Sequence, residues 1–173
     1  MDFKELIAVR QSCRSYDPSR PVEDEKLLAC IEAAKAAPSA VNDQPYDIWV
    51  VREKASAVSE AKASFNKFTD ECRLFVIFTD APYGHPMVAD AASRMDIDFR
   101  TQDIGESIAY FTLQAADLGI STCILGSFDA EKIHSLLGTD ARIQTVIAVG
   151  YSTEGYPVRE KKRKPVSENV HFL

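Results

Sequence analysis

The stretch RQSCRSYDPSRPV, residues 10–22, gathers three arginines and several serine hydroxyls near the N-terminus of an acidic chain. Arginine forks and hydroxyl groups are donors that proteins use to bind an anion such as a phosphate. A second basic stretch, VREKKRKP, occupies residues 158–165. Two basic segments at opposite ends of one chain form a single anion site if the fold brings them together. The alternative is that each segment is a solvated surface patch.

Side-chain amides and hydroxyls collect in a third stretch, PSAVNDQPY, at residues 38–46. Two prolines bracket Ser39, Asn42 and Gln44, so the stretch is predicted to be a structured loop. Its side chains can serve a ligand that needs both hydrogen-bond donors and acceptors. The alternative is that they bond their own backbone, as ordinary turn residues do.

Length and charge limit the class of protein. The chain has 173 residues with a hydrophobic fraction of 46%, which predicts one domain, residues 1–173, with a substantial core. The formal net charge is −6, which argues against a nucleic-acid partner. No stretch approaches the roughly 18 apolar residues of a membrane span, so no membrane partner is expected.

The cysteines and histidines do not form a metal-binding pattern. The four cysteines contain no CxxC pair, and the three histidines lie far apart, so no metal site is predicted. The N-terminal MDFKELIAV lacks the long apolar run of a signal peptide. We therefore expect reduced thiols, which pack in the core, in a cytoplasmic protein.

The elements that must position these polar stretches follow from hydrophobic periodicity and turn signals. Residues 81–95 are expected to be a loop with a partial helix, and the tail 152–173 has no helical period and could form an extended strand. Because the tail ends in apolar residues, it should pack against something. Strands are predicted at 47–51, 73–80 and 143–151, with a further apolar segment at 120–128 that breaks at Gly126. Helices are predicted from 3 to about 12 and at 23–36, 55–67, 98–118 and 130–137.

Five pieces of the chain, in this order, resemble the FMN-dependent nitroreductase family. They are RQSCRSY, AAKAAPSAVNDQPY, DIGESIAYFTLQAADLGISTCILGSF, IAVGY and KKRKPVSENV, which together span nearly the whole chain. The resemblance implies an α+β fold in which helices flank a central, mainly antiparallel sheet. It also implies a homodimer with flavin at the interface, in which the C-terminal segment, about 152–173, is exchanged between subunits.

The resemblance assigns the polar residues to parts of FMN. The phosphate would be held by Arg10, Ser12 and Arg14, with Arg163 and Lys161 from the tail. Asn42 and Ser39 would serve the pyrimidine edge of the ring, and backbone groups at Leu125 and Gly126 would serve its N5 and O4 positions. The full set of cofactor-binding residues implied is Arg10, Gln11, Ser12, Arg14, Pro38, Ser39, Asn42, Ile124, Leu125, Gly126, Lys161 and Arg163.

The resemblance further implies an enzyme that transfers hydride from NADH or NADPH to the flavin, and then reduces a nitroaromatic, a quinone or another small electron-poor acceptor. The flavin carries this chemistry, so no catalytic side chain is assigned. Two alternatives remain open. One is a reductase of another acceptor class, such as enones or halogenated aromatics, and the other is a flavin-binding storage or sensor protein with little turnover.

Overall fold

A four-stranded sheet forms the centre of the computed structural model, which describes residues 1–173. The strands lie in the order β1-β2-β4-β3, and every neighbouring pair is antiparallel. They are β1 (Tyr46–Val51), β2 (Leu74–Asp80), β3 (Ser121–Leu125) and β4 (Ile143–Gly150). The predicted α+β fold with a mainly antiparallel sheet is confirmed.

Helices cover both faces of this sheet. One face packs against α2 and α5, and the other packs against α3, α6 and part of the N-terminal segment. The seven α-helices are α1 (Phe3–Val9), α2 (Asp24–Lys35), α3 (Ala55–Glu60), α4 (Pro86–Met95), α5 (Phe99–Asp117), α6 (Ala130–Leu137) and α7 (Val166–Asn169).

Strand β2 is the most buried element because both of its faces are covered. Leu74, Val76 and Phe78 face α2 and α5, whereas Phe75 and Ile77 face the opposite core. All seven residues of the strand are buried, as its nearly continuous apolar sequence predicts. Each large side chain buried in this way stabilises the fold by about 1.5–3 kcal/mol.

Helix α5 agrees with the helix predicted at residues 98–118. Ile104, Ile108 and Phe111 lie in the core that α5 shares with α2. The carboxylate of Asp98 caps its first turn by accepting from the Arg100 N–H at 3.2 Å. After the helix, Gly119 adopts φ +74, the left-handed conformation typical of a glycine that follows a helix end.

The helix predicted at 55–67 is wrong in its second half, because α3 ends at Glu60. Beyond this point the backbone pairs with a distant segment. Lys62 forms an antiparallel bridge with Phe128, and the Asp129 N–H donates to the Ala61 carbonyl at 2.7 Å. Tertiary pairing therefore replaces the helical hydrogen bonds that local propensity favours.

Two other element boundaries differ from the sequence predictions. The region predicted to be mostly loop contains the ten-residue α4, which begins at Pro86 after the N-cap His85. The first helix ends at Val9, before the predicted Ser12. Ser12 instead forms a parallel bridge with Thr122 on the edge strand β3.

The tail also differs from the prediction of an extended strand. Its end forms the four-residue helix α7, with no buried residue. Phe172 and Leu173 are almost fully exposed. Within one chain, therefore, the apolar end of the tail packs against nothing.

Candidate functional site

The two basic segments meet at one cavity of about 270 Å³, which we call the basic cavity. The N-terminal segment and the tail both line it, although they are about 150 residues apart in sequence. Six of its nine lining residues are cations and only one is an acid. The complete lining is Arg10, Gln11, Ser12, Arg14, Arg159, Glu160, Lys161, Lys162 and Arg163.

The side chain of Gln11 and the backbone of Arg14, both in the N-terminal segment, hold the tail in place. The Gln11 amide nitrogen donates to the Pro157 carbonyl at 2.8 Å, and its oxygen accepts from the Arg159 N–H at 3.0 Å. The hydroxyl of Tyr156 accepts from the Arg14 N–H at 2.9 Å. These bonds join two parts of the same chain, although the family resemblance suggested that the tail crosses to a second subunit.

Cations of the tail also reach backbone carbonyls near α1. The Arg159 guanidinium donates to the Ser12 carbonyl, and Lys161 donates to the Ala8 carbonyl. Partial burial lowers the pKa of Lys161, and the neighbouring charges of Arg10, Arg163 and Arg159 lower it further. The cavity therefore concentrates positive charges, and a bound anion would reduce the repulsion between them.

Strand β3 continues from the basic cavity along the edge of the sheet. The Cys13 N–H donates to the Thr122 carbonyl at 2.8 Å, which fixes the N-terminal segment against this edge. Leu125 lies three residues further on, about 10 Å along the strand. Ile124 is exposed on this edge, and a side chain at Gly126 would meet open space. The predicted residues Ile124, Leu125 and Gly126 thus share one edge with the basic cavity.

The polar loop Pro38–Pro45 does not lie near the basic cavity in the same chain. Its Ala40 N–H donates to Asp103 at 3.2 Å, near the start of α5. A neighbouring depression beside Arg10 is lined by Ala116, near the end of the same helix. Asp103 and Ala116 are 13 residues apart, which is about 20 Å along a helix. The structure therefore does not bring Pro38, Ser39 and Asn42 together with the phosphate-binding candidates.

The conformation of this loop is unusual. Val41, Asn42 and Gln44 all have positive φ without being glycine. The Ser39 hydroxyl accepts from the Gln44 N–H at 3.1 Å, and the Gln44 amide donates to the Asn42 side chain at 3.2 Å. Residues held in this sparsely populated region cluster at functional sites.

Asp103, on α5, accepts a hydrogen bond from the backbone of the loop Pro38–Pro45. Its side chain is buried, and the oxygen that does not bond Ala40 has no partner. Burial raises the pKa of Asp103; the Ala40 N–H lowers it, and the charges of Glu106 and Asp43 raise it. The sequence signal for this residue was an acid on the apolar face of α5, one turn before Ser107. Sequence reasoning missed it.

Arg159 was also missed as an individual residue, although it lies in the basic stretch that the sequence analysis singled out. Its importance depends on its contacts with Gln11 and Ser12, which the sequence does not show.

The thiols nearby are unsuited to nucleophilic chemistry, because burial raises the pKa of Cys13 and Cys123 and raises that of Cys72 to about 11. No group of three or more potential ligands could hold a metal ion.

Comparisons with known proteins cover nearly the whole chain. Residues 7–151 match the model of the Nitroreductase family. A relative named oxygen-insensitive NADPH nitroreductase, from Helicobacter acinonychis, is 24% identical over 98% of this chain and 96% of its own length. A relative named NADH dehydrogenase, from Thermus thermophilus, is 28% identical over 91% of this chain and 90% of its own length.

Solved structures support the fold. A protein from Desulfovibrio desulfuricans, solved in complex with FMN, is similar with a TM-score of 0.80 and 19% identity. The similarity covers 100% of this chain and 97% of that one. Separately, no helix in this structure has the length and apolar character needed to span a membrane.

Proposed function

The chain belongs to the nitroreductase family, and from this premise we propose that it is an FMN-dependent oxidoreductase. It oxidises NADH or NADPH and reduces a small electron-poor acceptor, such as a nitroaromatic or a quinone. The observation that carries the proposal is the basic cavity beside the exposed edge of β3. Relatives named for NADPH and for NADH, and a structural neighbour solved with FMN, agree with it.

The basic cavity fits the phosphate of FMN. A phosphate monoester carries about two negative charges, and Arg10, Arg14 and Arg163 offer guanidinium forks that can each bind two oxygens. Lys161 and the Ser12 hydroxyl add a further charge and a further donor. The cavity is lined by side chains from both ends of the chain, so phosphate binding would fix the tail against the N-terminal segment.

The edge of β3 is suited to the flavin ring. Leu125 lies about 10 Å along β3 from Thr122, which pairs with Ser12 of the basic cavity, and Ile124 and Gly126 flank Leu125. Gly126 carries no side chain to block a close approach. When bound, FMN supplies the hydride chemistry between the nicotinamide and the acceptor. The protein has to orient both partners and tune the ring through backbone N–H groups, so no acid or base residue is required.

We propose that a second copy of the chain completes the site. The loop Pro38–Pro45 lies about 20 Å along α5 from the basic cavity of its own chain, so Ser39 and Asn42 would serve the ring bound to the partner. Exposed apolar residues favour such an association, because Phe3 and Tyr110 line an open hollow of about 510 Å³ and Phe172 has no cover. All four cysteines are free thiols, which fits a reducing compartment such as the cytoplasm.

Anaerobic reduction of the purified protein tests the proposed function. The protein reconstituted with FMN should lose its flavin absorbance when NADH or NADPH is added. The absorbance should return when a nitroaromatic or a quinone follows, in separate reactions. Bleaching that takes many minutes with both nucleotides would instead indicate a storage or sensor protein. Bleaching without reoxidation by either acceptor would indicate a different acceptor class, such as an enone or a halogenated aromatic.

A further inference from the structure

The side-chain amide of Gln11 uses both of its ends on the backbone of the tail. Its nitrogen donates to the Pro157 carbonyl at 2.8 Å. Its oxygen accepts from the backbone N–H of Arg159 at 3.0 Å and from the Arg159 Nε at 3.2 Å. The amide thus bonds two tail positions, 157 and 159, much as a neighbouring strand would.

We infer that Gln11 is a positioning residue, which fixes the register of the tail so that Lys161 and Arg163 face Arg10 and Arg14 across the basic cavity. The inference rests on the proposed binding of FMN. It goes further by giving Gln11 a role other than that of a phosphate ligand. The phosphate would be bound by the cations that Gln11 holds in place.

Register matters here because the charge changes sign at each step from residue 159 to residue 161. Glu160 stands between Arg159 and Lys161, and all three line the cavity. A slip of one residue would bring the carboxylate of Glu160 to the position of Arg159, beside the Ser12 carbonyl. The bond from the Arg159 Nε to the Gln11 oxygen opposes this slip, since the carboxylate of Glu160 in that place would bring an acceptor to the amide oxygen, which is itself an acceptor.

Besides Gln11, this part of the tail is held by the bonds of Arg159 to the Ser12 carbonyl and of Lys161 to the Ala8 carbonyl. Pro157, Val158 and Arg159 are exposed, so no apolar burial fixes them. Cations also crowd here, because burial lowers the pKa of Lys161 and the charges of Arg10, Arg163 and Arg159 lower it further. A neutral amide suits the task, because it bonds the tail without placing a negative charge beside the phosphate.

Flavin titration of the Gln11→Met variant tests this role. Methionine has a similar length but does not bond the tail backbone. Apoprotein would be titrated with FMN and with riboflavin, which has the same ring but no phosphate. Loss of these bonds should weaken FMN binding about tenfold, while riboflavin affinity changes by less than about twofold. Gln102→Met, the same change at an exposed position of α5, should leave both affinities unchanged.

Limited trypsin digestion gives a second readout, because the basic tail is rich in cleavage sites. In apoprotein, cleavage at residues 159–164 should be faster in Gln11→Met than in wild type and in Gln102→Met. Saturating FMN should slow the cleavage in wild type more than in Gln11→Met, since the variant holds the phosphate less tightly.

The outcomes separate this inference from the proposed function. If wild-type apoprotein binds FMN and Gln11→Met binds it equally well, the positioning role is wrong and the proposed function stands. If Gln11→Met weakens FMN and riboflavin by the same factor, Gln11 is only a structural residue, and the inference is again overturned. If wild type does not bind FMN, the proposed function fails, and this inference fails with it.

Discussion

Arg14 and Arg163 come from opposite ends of the chain, and single substitutions should show that both act on the same ligand. Loss of one charge-assisted hydrogen bond costs roughly 1.5–3 kcal/mol, so Arg14→Ala and Arg163→Ala should each weaken FMN binding by about one to two decades. Lysine at either position should restore only part of the affinity, because the fork geometry is lost. Fluorescence titration of apoprotein measures the effect.

The control for these variants is Arg94→Ala on α4, where the arginine pairs only with Asp90 on the surface. This change should not alter FMN affinity. If Arg14→Ala and Arg163→Ala behave like the control, the two arginines are solvated surface cations.

Asp103 should make stability depend on pH, because its pKa is raised in the folded protein. A raised pKa means that the folded state binds the proton more tightly than the unfolded state. Ionised Asp103 therefore reduces stability as pH rises from about 4 through its folded pKa. Asp103→Asn keeps an oxygen for the Ala40 N–H, so its melting temperature relative to wild type should rise over this range, by about 2–4 °C per kcal/mol gained.

Thermal unfolding at several pH values between 4 and 8 tests this expectation. Asp140→Asn, a change at an exposed aspartate, serves as the matched control and should show little effect. A constant difference between Asp103→Asn and wild type across the range would mean that the carboxyl is not strained by burial.

At the scale of elements, a glycine inside α5 and a glycine just after it offer a matched pair of substitutions. Gly119 has φ +74, so Gly119→Ala should reduce the free energy of unfolding by roughly 1–2 kcal/mol. Gly105 lies inside the helix with open space around it, so Gly105→Ala should increase stability by roughly 0.5–1 kcal/mol. Urea unfolding measures both. Equal effects of the same sign would contradict the assigned end of α5.

The elements predicted best from sequence are those whose own residues specify them. Strand β2 is apolar throughout, and α5 has both a periodic apolar face and a glycine after its last turn. The end of α3 depends on the distant pairing of Lys62 with Phe128, which no local pattern shows. Helix α4 was not predicted in full because Pro82, Gly84 and Pro86 precede or begin it and mostly small and polar residues follow, and in the structure only its Val88 is buried.

At the scale of the whole molecule, the charges of the site were visible in the sequence, but the contacts that organise them were not. Arg10, Arg14, Lys161 and Arg163 stood out as clustered cations in an acidic chain, and the family resemblance assigned them to a phosphate. The bonds from Gln11 to the tail could not, since a neutral amide has many uses and its partners lie 146 and 148 residues away. The distance between the loop Pro38–Pro45 and the cavity could not be predicted either, because it depends on which ends of α5 the two contact.

Two truncations should separate phosphate binding from association. A chain that ends at Lys164 keeps the basic cavity but loses the exposed apolar end, so it should still prefer FMN over riboflavin while its dimerisation weakens. A chain that ends at Tyr156 loses Lys161 and Arg163 as well, and should lose both properties. Analytical ultracentrifugation and flavin titration give the two readouts. A chain ending at Tyr156 that stays dimeric and binds FMN tightly would contradict both proposed roles of the tail.

The identity of the bound flavin tests the central claim most directly. The purified protein should be yellow, and heat should release a flavin that co-migrates with FMN in chromatography against FMN, FAD and riboflavin standards. The reason is that the basic cavity gathers cations from both ends of the chain at one place for a phosphate, and the chain has no glycine-rich turn for a dinucleotide pyrophosphate. Recovery of FAD, or a colourless protein that does not bind added FMN, would contradict the account.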